Sequence, residues 1–206
     1  MNIVIDKYEK NGKGKYRLFL GNGEVIDTYD DVILENELLL KKSIDTSTYD
    51  KIMKDNNIVE YYNMACKYIS IRLRSTKEIK DYLIRKGINS CDIDIVIDKL
   101  VNNKILNDDI FTEAFIKDKL RFSNMGEYRI INELKKHNID SDIINKYSYL
   151  IDEDVMSERV IKLVDKQIRI NRKLDNYKLR NKIYNNLMGL GYSSNTIVSV
   201  LNNYFE

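Results

Sequence analysis

The 206-residue sequence contains no proline, no tryptophan, one histidine and eight glycines. The scarcity of proline and glycine excludes collagen-like, proline-rich and glycine-rich proteins. Two cysteines, Cys66 and Cys91, form no Cys-x-x-Cys pair, which disfavours a zinc site or a disulfide framework and is typical of a reducing compartment. No stretch approaches the ~18 consecutive apolar residues of a membrane helix, and Asp6 interrupts the start before a signal-peptide core could form. We therefore expect a cytoplasmic protein without a membrane segment.

The composition that remains is that of a globular protein. Hydrophobic residues make up 43% and charged residues 32%, with a net charge of +2, so the total charge favours no particular partner. His137 stands at the end of a predicted helix without a Ser or Cys partner motif, and the acidic run 152–154 opens another helix, where carboxylates favour the helix dipole. We expect no catalytic residue, no cofactor and no metal site, and therefore no enzyme.

The first third of the chain reads as a small β-structure. Short runs rich in β-branched and aromatic residues, at 3–5, 16–20 and 25–29, are separated by Asn and Gly residues that permit tight turns. These runs predict an antiparallel three-stranded meander. Asp30 or Asp31 is expected to cap a helix through Leu40, and Ser47 or Thr48 to cap the next.

A repeated pattern dominates the rest of the chain. Three leucines, separated by 51 and 53 residues, each have an isoleucine four positions before them, a glycine or asparagine four after, and a serine seven after. Glycine and asparagine favour the left-handed conformation that ends helices, and serine favours the start of the next one. The three sets are Ile79, Leu83, Gly87, Ser90; Ile130, Leu134, Asn138, Ser141; and Ile183, Leu187, Gly191, Ser194.

Each repeat has room for three helices. We expect helices at 60–73, 75–86 and 91–102, at 108–121, 125–137 and 141–151, and at 154–173, 177–189 and 194–204, with capping boxes at Ser75–Glu78 and, more weakly, Asn124–Glu127. The predicted fold is mainly α, with tandem three-helix repeats in an elongated curved body behind the N-terminal meander. The predicted domains are 1–58, 59–106, 107–153 and 154–206.

Positive charge is concentrated in the last repeat. Residues 155–206 carry nine basic and four acidic side chains, and Lys162, Lys166, Arg169 and Lys173 are spaced to share one helix face. Ile161, Val164 and Ile168 are expected to form the core stripe of that helix. A cationic face suits phosphates or an acidic protein groove, and an ordinary solvated face is the alternative. Further basic residues of this candidate surface are Arg172, Lys178, Arg180, Lys182, Arg72, Arg74, Arg85 and Lys86.

Three motifs of the sequence resemble the RecX family, bacterial regulators of the recombinase RecA. They are Arg72-x-Arg74-Ser75-x-x-Glu78-Ile79-x-x-x-Leu83-x-x-Lys86-Gly87-Ile88, Leu106-Asn107-Asp108-Asp109-x-Phe111, and Gly126-x-x-x-Ile130-x-x-Glu133-Leu134-x-x-x-x-Ile139. The resemblance covers the whole chain and is strongest from Ala65 to Ile139. Asn138 departs from the family's usual glycine, but asparagine is the next-best residue for that conformation.

The resemblance implies a non-enzymatic regulator that acts in homologous recombination, DNA repair and the SOS response. It implies binding in the groove of the RecA filament on single-stranded DNA and suppression of filament growth, ATP hydrolysis, strand exchange and RecA-assisted cleavage. We expect a monomer, with weak direct DNA binding at most. The main alternative is a helical repeat protein that binds nucleic acid without RecA; an adaptor for another protein and, last, a metal hydrolase are the others.

Overall fold

The computed structural model describes residues 2–205, so Met1 and Glu206, the outermost residues of the predicted terminal domains, lie outside it. The chain divides into two compact units. Among residues 2–205, the first comprises 2–72 and Ile79–Ile105, and the second comprises Leu73–Glu78 and 106–205. Among residues 2–205, no helix combines the length and apolar character that a membrane span requires.

The N-terminal sheet has four antiparallel strands in the order β3-β2-β1-β4. The predicted meander is confirmed by β1 (Asn2–Lys10), β2 (Lys15–Leu20) and β3 (Val25–Tyr29). The sequence analysis missed β4 (Ser43–Asp45), which pairs with the first residues of β1. Three residues are too short to show an alternating pattern, so this strand is defined by its partner rather than by its own sequence.

The helix after the sheet is shorter than expected. Helix α1 covers Asp30–Glu35 and Tyr29 is its N-cap, so the predictions of a cap at Asp30 or Asp31 and of a helix through Leu40 are wrong. Asn36 ends the helix, since its side chain donates to the Val32 carbonyl (3.0 Å) and to the Asp55 carboxylate (2.9 Å). A separate 3₁₀ turn follows at Leu38–Leu40.

Helix α2 runs without a break through Thr46–Ile69. The helix predicted at 60–73 therefore begins earlier than expected, as part of this long helix, and ends before residue 73. Its N-cap is Asp45, whose carboxylate accepts from the Thr48 amide at 2.8 Å, rather than Ser47 or Thr48. Helix α2 contributes the fully buried Ile52 to the hydrophobic core that it shares with the sheet and α1.

The remaining helices follow the repeat pattern closely. One predicted helix, 141–151, is a short α-helix followed by a 3₁₀ turn at Ser148–Ile151. The helices are α3 (Thr76–Arg85), α4 (Ser90–Asn102), α5 (Asp108–Phe122), α6 (Glu127–Lys136), α7 (Ser141–Lys146), α8 (Glu153–Ile170), α9 (Asn176–Leu190) and α10 (Ser194–Phe205).

The three predicted helix ends share one hydrogen-bond pattern. Gly87, Asn138 and Gly191 all have positive φ, at 80°, 56° and 89°. In each case the amide of the next residue donates to the carbonyl of the aligned leucine, at 3.3, 3.2 and 3.2 Å. This is the Schellman arrangement, which satisfies carbonyls that the end of a helix would leave unpaired.

The caps that follow these ends lie one residue before the predicted serines. The side chains of Asn89, Asp140 and Ser193 accept from amides in the first turns of α4, α7 and α10. Each predicted serine follows another residue of good capping type, so spacing alone could not choose between the two neighbours.

The two predicted capping boxes have opposite outcomes. The Ser75 box is confirmed, because the Ser75 amide donates to Glu78 and the Glu78 amide to the Ser75 hydroxyl, both at 3.2 Å. The Asn124 box is wrong: Gly126 is the N-cap of α6, without a side-chain bond, and Glu127 instead accepts from the Ser193 amide at 2.7 Å.

One hydrophobic core joins α5 to α10 in the second unit. The repeat positions Ile130, Leu134, Ile183 and Leu187 are fully buried in it, as Ile79 and Leu83 are in the first repeat. The repeated isoleucines and leucines therefore form the inward face of the second helix of each repeat, which leaves the basic residues on outward faces.

Candidate functional site

Helix α8 carries the centre of the predicted basic surface. Its first turn is capped by Asp152, whose carboxylate accepts from the Val155 amide at 3.0 Å, so the acidic run 152–154 serves the start of this helix. Among residues 2–205, no group of three or more His, Cys, Asp or Glu side chains could hold a metal ion.

The buried stripe of α8 differs from the predicted one. Met156, Val160 and Val164 are at most 1% exposed, Ile168 is half-buried, and Ile161 is 39% exposed. Steps of four residues keep the buried side chains on one face, whereas Ile161 is rotated about 100° from Val160. Val164 is confirmed as a core residue and Ile161 is not.

Lys162, Lys166 and Arg169 are exposed and share one face of α8, as predicted. Lys173 does not belong to that face, because the helix ends at Ile170. The side chain of Asn171 donates to the Gln167 carbonyl at 2.8 Å and the chain turns there, which is why the predicted helix to 173 is three residues too long.

The other basic residues of the third repeat surround the turn between α8 and α9. Arg172 and Lys173 are exposed in the turn itself. Lys178 pairs with Asp175 at 3.4 Å, and Lys182 donates to the Asn171 side chain at 2.7 Å. Arg180 is half-buried and donates to Asn202 on α10 at 2.8 Å, so part of its role is to connect two helices.

The basic residues of the first repeat fall in both compact units. Arg72, Arg85 and Lys86 are exposed in the first unit, where the Lys86 ammonium lies 5.7 Å from the Tyr82 ring centre. Arg74 belongs to the second unit and pairs with Glu78 at 3.6 Å, with 10% of its side chain exposed. Arg74 is therefore mainly a packing partner of the first turn of α3.

The single histidine lies where a helix end needs a donor. His137 is the C-cap of α6, and its ring packs 5.2 Å from Phe111 and 5.4 Å from Phe115. Its Nδ1 is 3.5 Å from the Ser75 hydroxyl. These contacts account for the ring through its packing against α5 and its approach to Ser75, while the backbone amide of His137 serves the end of α6.

Sequence analysis missed a cavity beside the basic face. Lys162 and Lys166 line a cavity of about 250 Å³ together with Asn124, Arg159, Leu163 and Tyr192. The missed signal was in the repeat itself, since Tyr192 occupies the position of Ile88 and Ile139 in the first two repeats. A tyrosine where the pattern requires an apolar residue indicates a use for its hydroxyl.

Family models match the chain in three consecutive segments. The models of the first, second and third three-helix domains of RecX match residues 62–100, 107–147 and 154–201. Each segment contains one of the three sets of aligned isoleucine, leucine, glycine or asparagine, and serine, and the third segment also contains the basic face of α8.

Individual relatives agree with the family models. Regulatory protein RecX of Bacillus pumilus is 26% identical over 198 residues, covering 96% of this chain and 75% of that protein. Regulatory protein RecX of Lactococcus lactis is 30% identical over 167 residues, covering 80% of this chain and 62% of that protein.

Two solved structures share the fold. The crystal structure of a regulatory protein RecX superposes with a TM-score of 0.87 over 97% of this chain and 99% of that one, at 19% identity. The crystal structure of RecX from Lactobacillus salivarius gives a TM-score of 0.68 over 72% of this chain and 97% of that one, at 26% identity. The mainly helical fold with three-helix repeats is thus confirmed.

Proposed function

Because the chain belongs to the RecX family of regulatory proteins, we propose that it regulates RecA by binding the RecA filament on single-stranded DNA. Binding in the filament groove suppresses filament growth, ATP hydrolysis, strand exchange and RecA-assisted cleavage. The observation that carries this proposal is the ordered match of three RecX domains from residue 62 to residue 201. The proposed domains remain 1–58, 59–106, 107–153 and 154–206, in a cytoplasmic monomer without catalytic activity of its own.

The filament contact is assigned to the basic residues identified above. Support comes from the exposure of Lys162, Lys166 and Arg169 on one helix face, since coherent positive charge attracts acidic protein surface or phosphate in a salt-dependent manner. Arg172, Lys173, Lys178 and Lys182 extend this surface around the α8–α9 turn, and Arg72, Arg85 and Lys86 supply exposed charge in the first repeat. Arg74 and Arg180 contribute less, since both are half-buried in contacts within the protein.

ATP hydrolysis by the cognate RecA on single-stranded DNA tests the proposal directly. We expect inhibition at substoichiometric amounts of this protein, with little binding to the same DNA when RecA is absent. Unchanged hydrolysis across the titration would contradict the proposal.

The site assignment has a separate test. Reversing three charges on α8 with Lys162→Glu, Lys166→Glu and Arg169→Glu should weaken filament binding about tenfold or more and reduce its salt dependence, because attraction becomes repulsion. The matched control reverses three exposed lysines of α2, with Lys51→Glu, Lys54→Glu and Lys67→Glu. Equal losses in both triple variants, measured by filament co-sedimentation, would assign the effect to net charge and remove α8 from the contact.

The basic third repeat also favours a second candidate, binding to nucleic acid without RecA. That function predicts tight, strongly salt-dependent binding to naked single strands and no effect on RecA hydrolysis. No response in either assay would indicate an adaptor for another protein.

A further inference from the structure

The third repeat contains a buried hydroxyl that its fold does not require. Tyr192 follows Gly191 at the end of α9 and is 1% exposed, like the buried Ile88 and Ile139 at the equivalent positions. Among the described residues, its hydroxyl has no partner in full hydrogen-bond geometry, although the Arg159 side chain acts on it as a donor. A buried polar group without a partner lowers stability, so an isoleucine would serve the fold better here.

Arg159 lies beside this hydroxyl in a fixed position. One terminal nitrogen donates to the Leu120 carbonyl and the other to the Ser123 carbonyl at 2.6 Å, which anchors α8 to the end of α5. Its Nε is buried and has no acceptor among the described residues. Arginine can only donate, so it leaves the Tyr192 proton without an acceptor.

Arg159 and Tyr192 are both among the residues that line the cavity of about 250 Å³, which we call the Tyr192 pocket. A water molecule takes ~30 Å³ in the liquid, so the pocket has room for a small ion with several waters. Its other lining residues are Asn124, Leu163 and the exposed Lys162 and Lys166. The described lining therefore offers three cations, an amide and a phenol, and no carboxylate.

Glu127 is the acidic residue that acts on Tyr192 from the side of α6. Its carboxylate accepts from the Ser193 amide at 2.7 Å and lines a different cavity, together with Ser193 and Thr196. Burial raises the pKa of Tyr192, an effect that Arg159 opposes and Glu127 reinforces. The hydroxyl is therefore protonated at neutral pH and available as a donor.

We propose that the Tyr192 pocket binds one phosphate group of a single-stranded nucleic-acid backbone. Arg159 and Tyr192 supply buried donors whose positions are set by the fold, and Lys162 and Lys166 supply mobile charge at the rim. A tetrahedral oxyanion offers acceptors in several directions, which suits donors supplied both by α8 and by the residue that follows the end of α9. This proposal depends on the proposed function in one respect: the phosphate is assigned to the DNA of the RecA filament.

The test measures fluorescence anisotropy of a labelled oligothymidylate over a series of low salt concentrations, at which the weak binding expected for naked strands becomes measurable. Tyr192→Phe removes a neutral donor, so we expect affinity to fall about three- to tenfold with an unchanged salt dependence. Lys162→Gln with Lys166→Gln should reduce the slope of log K against log salt by about 0.7, the value for one phosphate on a single strand.

Two lysines on other faces provide the matched control. Lys117 and Lys146 are exposed in the same unit and do not line the pocket, so Lys117→Gln with Lys146→Gln removes the same charge. Circular dichroism should show that Tyr192→Phe folds normally, since the lost hydroxyl has no acceptor among the described residues and Arg159 keeps its two carbonyl partners. Wild-type affinity in Tyr192→Phe, or an equal loss in the control pair, would overturn the proposal.

Free orthophosphate presents the same kind of acceptor oxygens as a backbone phosphate, so it is the alternative ligand. Titration with orthophosphate at constant ionic strength, followed through the backbone amide resonances of Gly191 and Tyr192, should give small shifts, whereas the oligonucleotide gives large ones. Saturation by orthophosphate alone would overturn the backbone assignment. Inhibition of ATP hydrolysis by RecA is measured with the same variants. If the wild type inhibits hydrolysis but the pocket variants bind the oligonucleotide as tightly as the wild type, the phosphate site is refuted and the proposed function stands.

Discussion

The first turns of α3 and α6 each contact the end of the second helix in the following repeat, but they do so with different chemistry. At the α3–α6 junction, side chains make the connection: the Lys77 ammonium donates to the Lys136 carbonyl at 2.9 Å, and the Ser75 hydroxyl lies 3.5 Å from His137. The α3 amide of Thr76 is also satisfied by a side chain, the Asp108 carboxylate, at 2.8 Å.

At the α6–α9 junction the two backbones meet directly. The Gly126 amide donates to the Leu190 carbonyl at 2.9 Å, and the Tyr128 amide donates to the Gly191 carbonyl at 3.0 Å. A Cβ atom on Gly126 would overlap the carbonyl carbon of Gly191 and the amide nitrogen of Tyr192, both of them backbone atoms. Glycine is needed here because of what lies across the junction, since its own φ of −82° suits any residue.

Ser75 and Gly126 occupy the same position of the repeat, eight residues before the aligned leucines. The residue just before the second helix of a repeat can therefore connect that repeat to the next one in two ways. It can carry a capping side chain, as Ser75 does, or it can lack a side chain so that the two backbones meet, as at Gly126. The two solutions differ in how they respond to mutation.

The largest effect is expected for Gly126→Ala. The added methyl group meets backbone atoms that cannot move without separating α6 from α9, so we expect a loss of about 3 kcal/mol in the free energy of unfolding. Chemical denaturation measures it. The control is Gly189→Ala in α9, where an added Cβ has open space and should stabilise the protein by up to about 1 kcal/mol. Similar effects of the two substitutions would contradict direct backbone packing.

A smaller effect is expected for Ser75→Ala. This change removes one half of a reciprocal capping box in a fully buried position, and should cost about 1 kcal/mol by the same measurement. Ser90→Ala is the matched control, since Asn89 caps α4 and the exposed Ser90 should be replaceable at almost no cost. A large loss of stability in Ser90→Ala would show instead that Ser90 caps α4, as the repeat spacing predicted.

The smallest effect is expected at the two left-handed residues that follow α3 and α6, Gly87 and Asn138. Asn138 adopts a φ of 56°, and Asn138→Gly should stabilise the protein by about 0.5 kcal/mol because glycine enters this region without strain. The reciprocal change, Gly87→Asn, has open space around it and should cost a similar amount. Thermal unfolding of both variants checks the pair, and shifts of the same sign would refute the explanation.

The helix ends could be predicted because they depend on local backbone energetics. Gly87, Asn138 and Gly191 tolerate positive φ, and the isoleucines and leucines before them set the buried face, whatever is packed against it. The basic face of α8 was predictable for the same reason as far as Arg169. Lys173 was not, since Asn171 ends the helix through a bond to Gln167 that the helical periodicity does not reveal.

The amino-acid sequence by itself determined the three repeats, their helix ends and the concentration of positive charge in the last one. Only the tertiary structure decided that β4 is a strand, that Gly126 must lack a side chain, and that Arg159 and Tyr192 meet Lys162 and Lys166 around one pocket. The physical reason is distance along the chain. Helix propensity and capping act within a few residues, whereas a close backbone approach or a cluster of donors joins residues that only folding brings together.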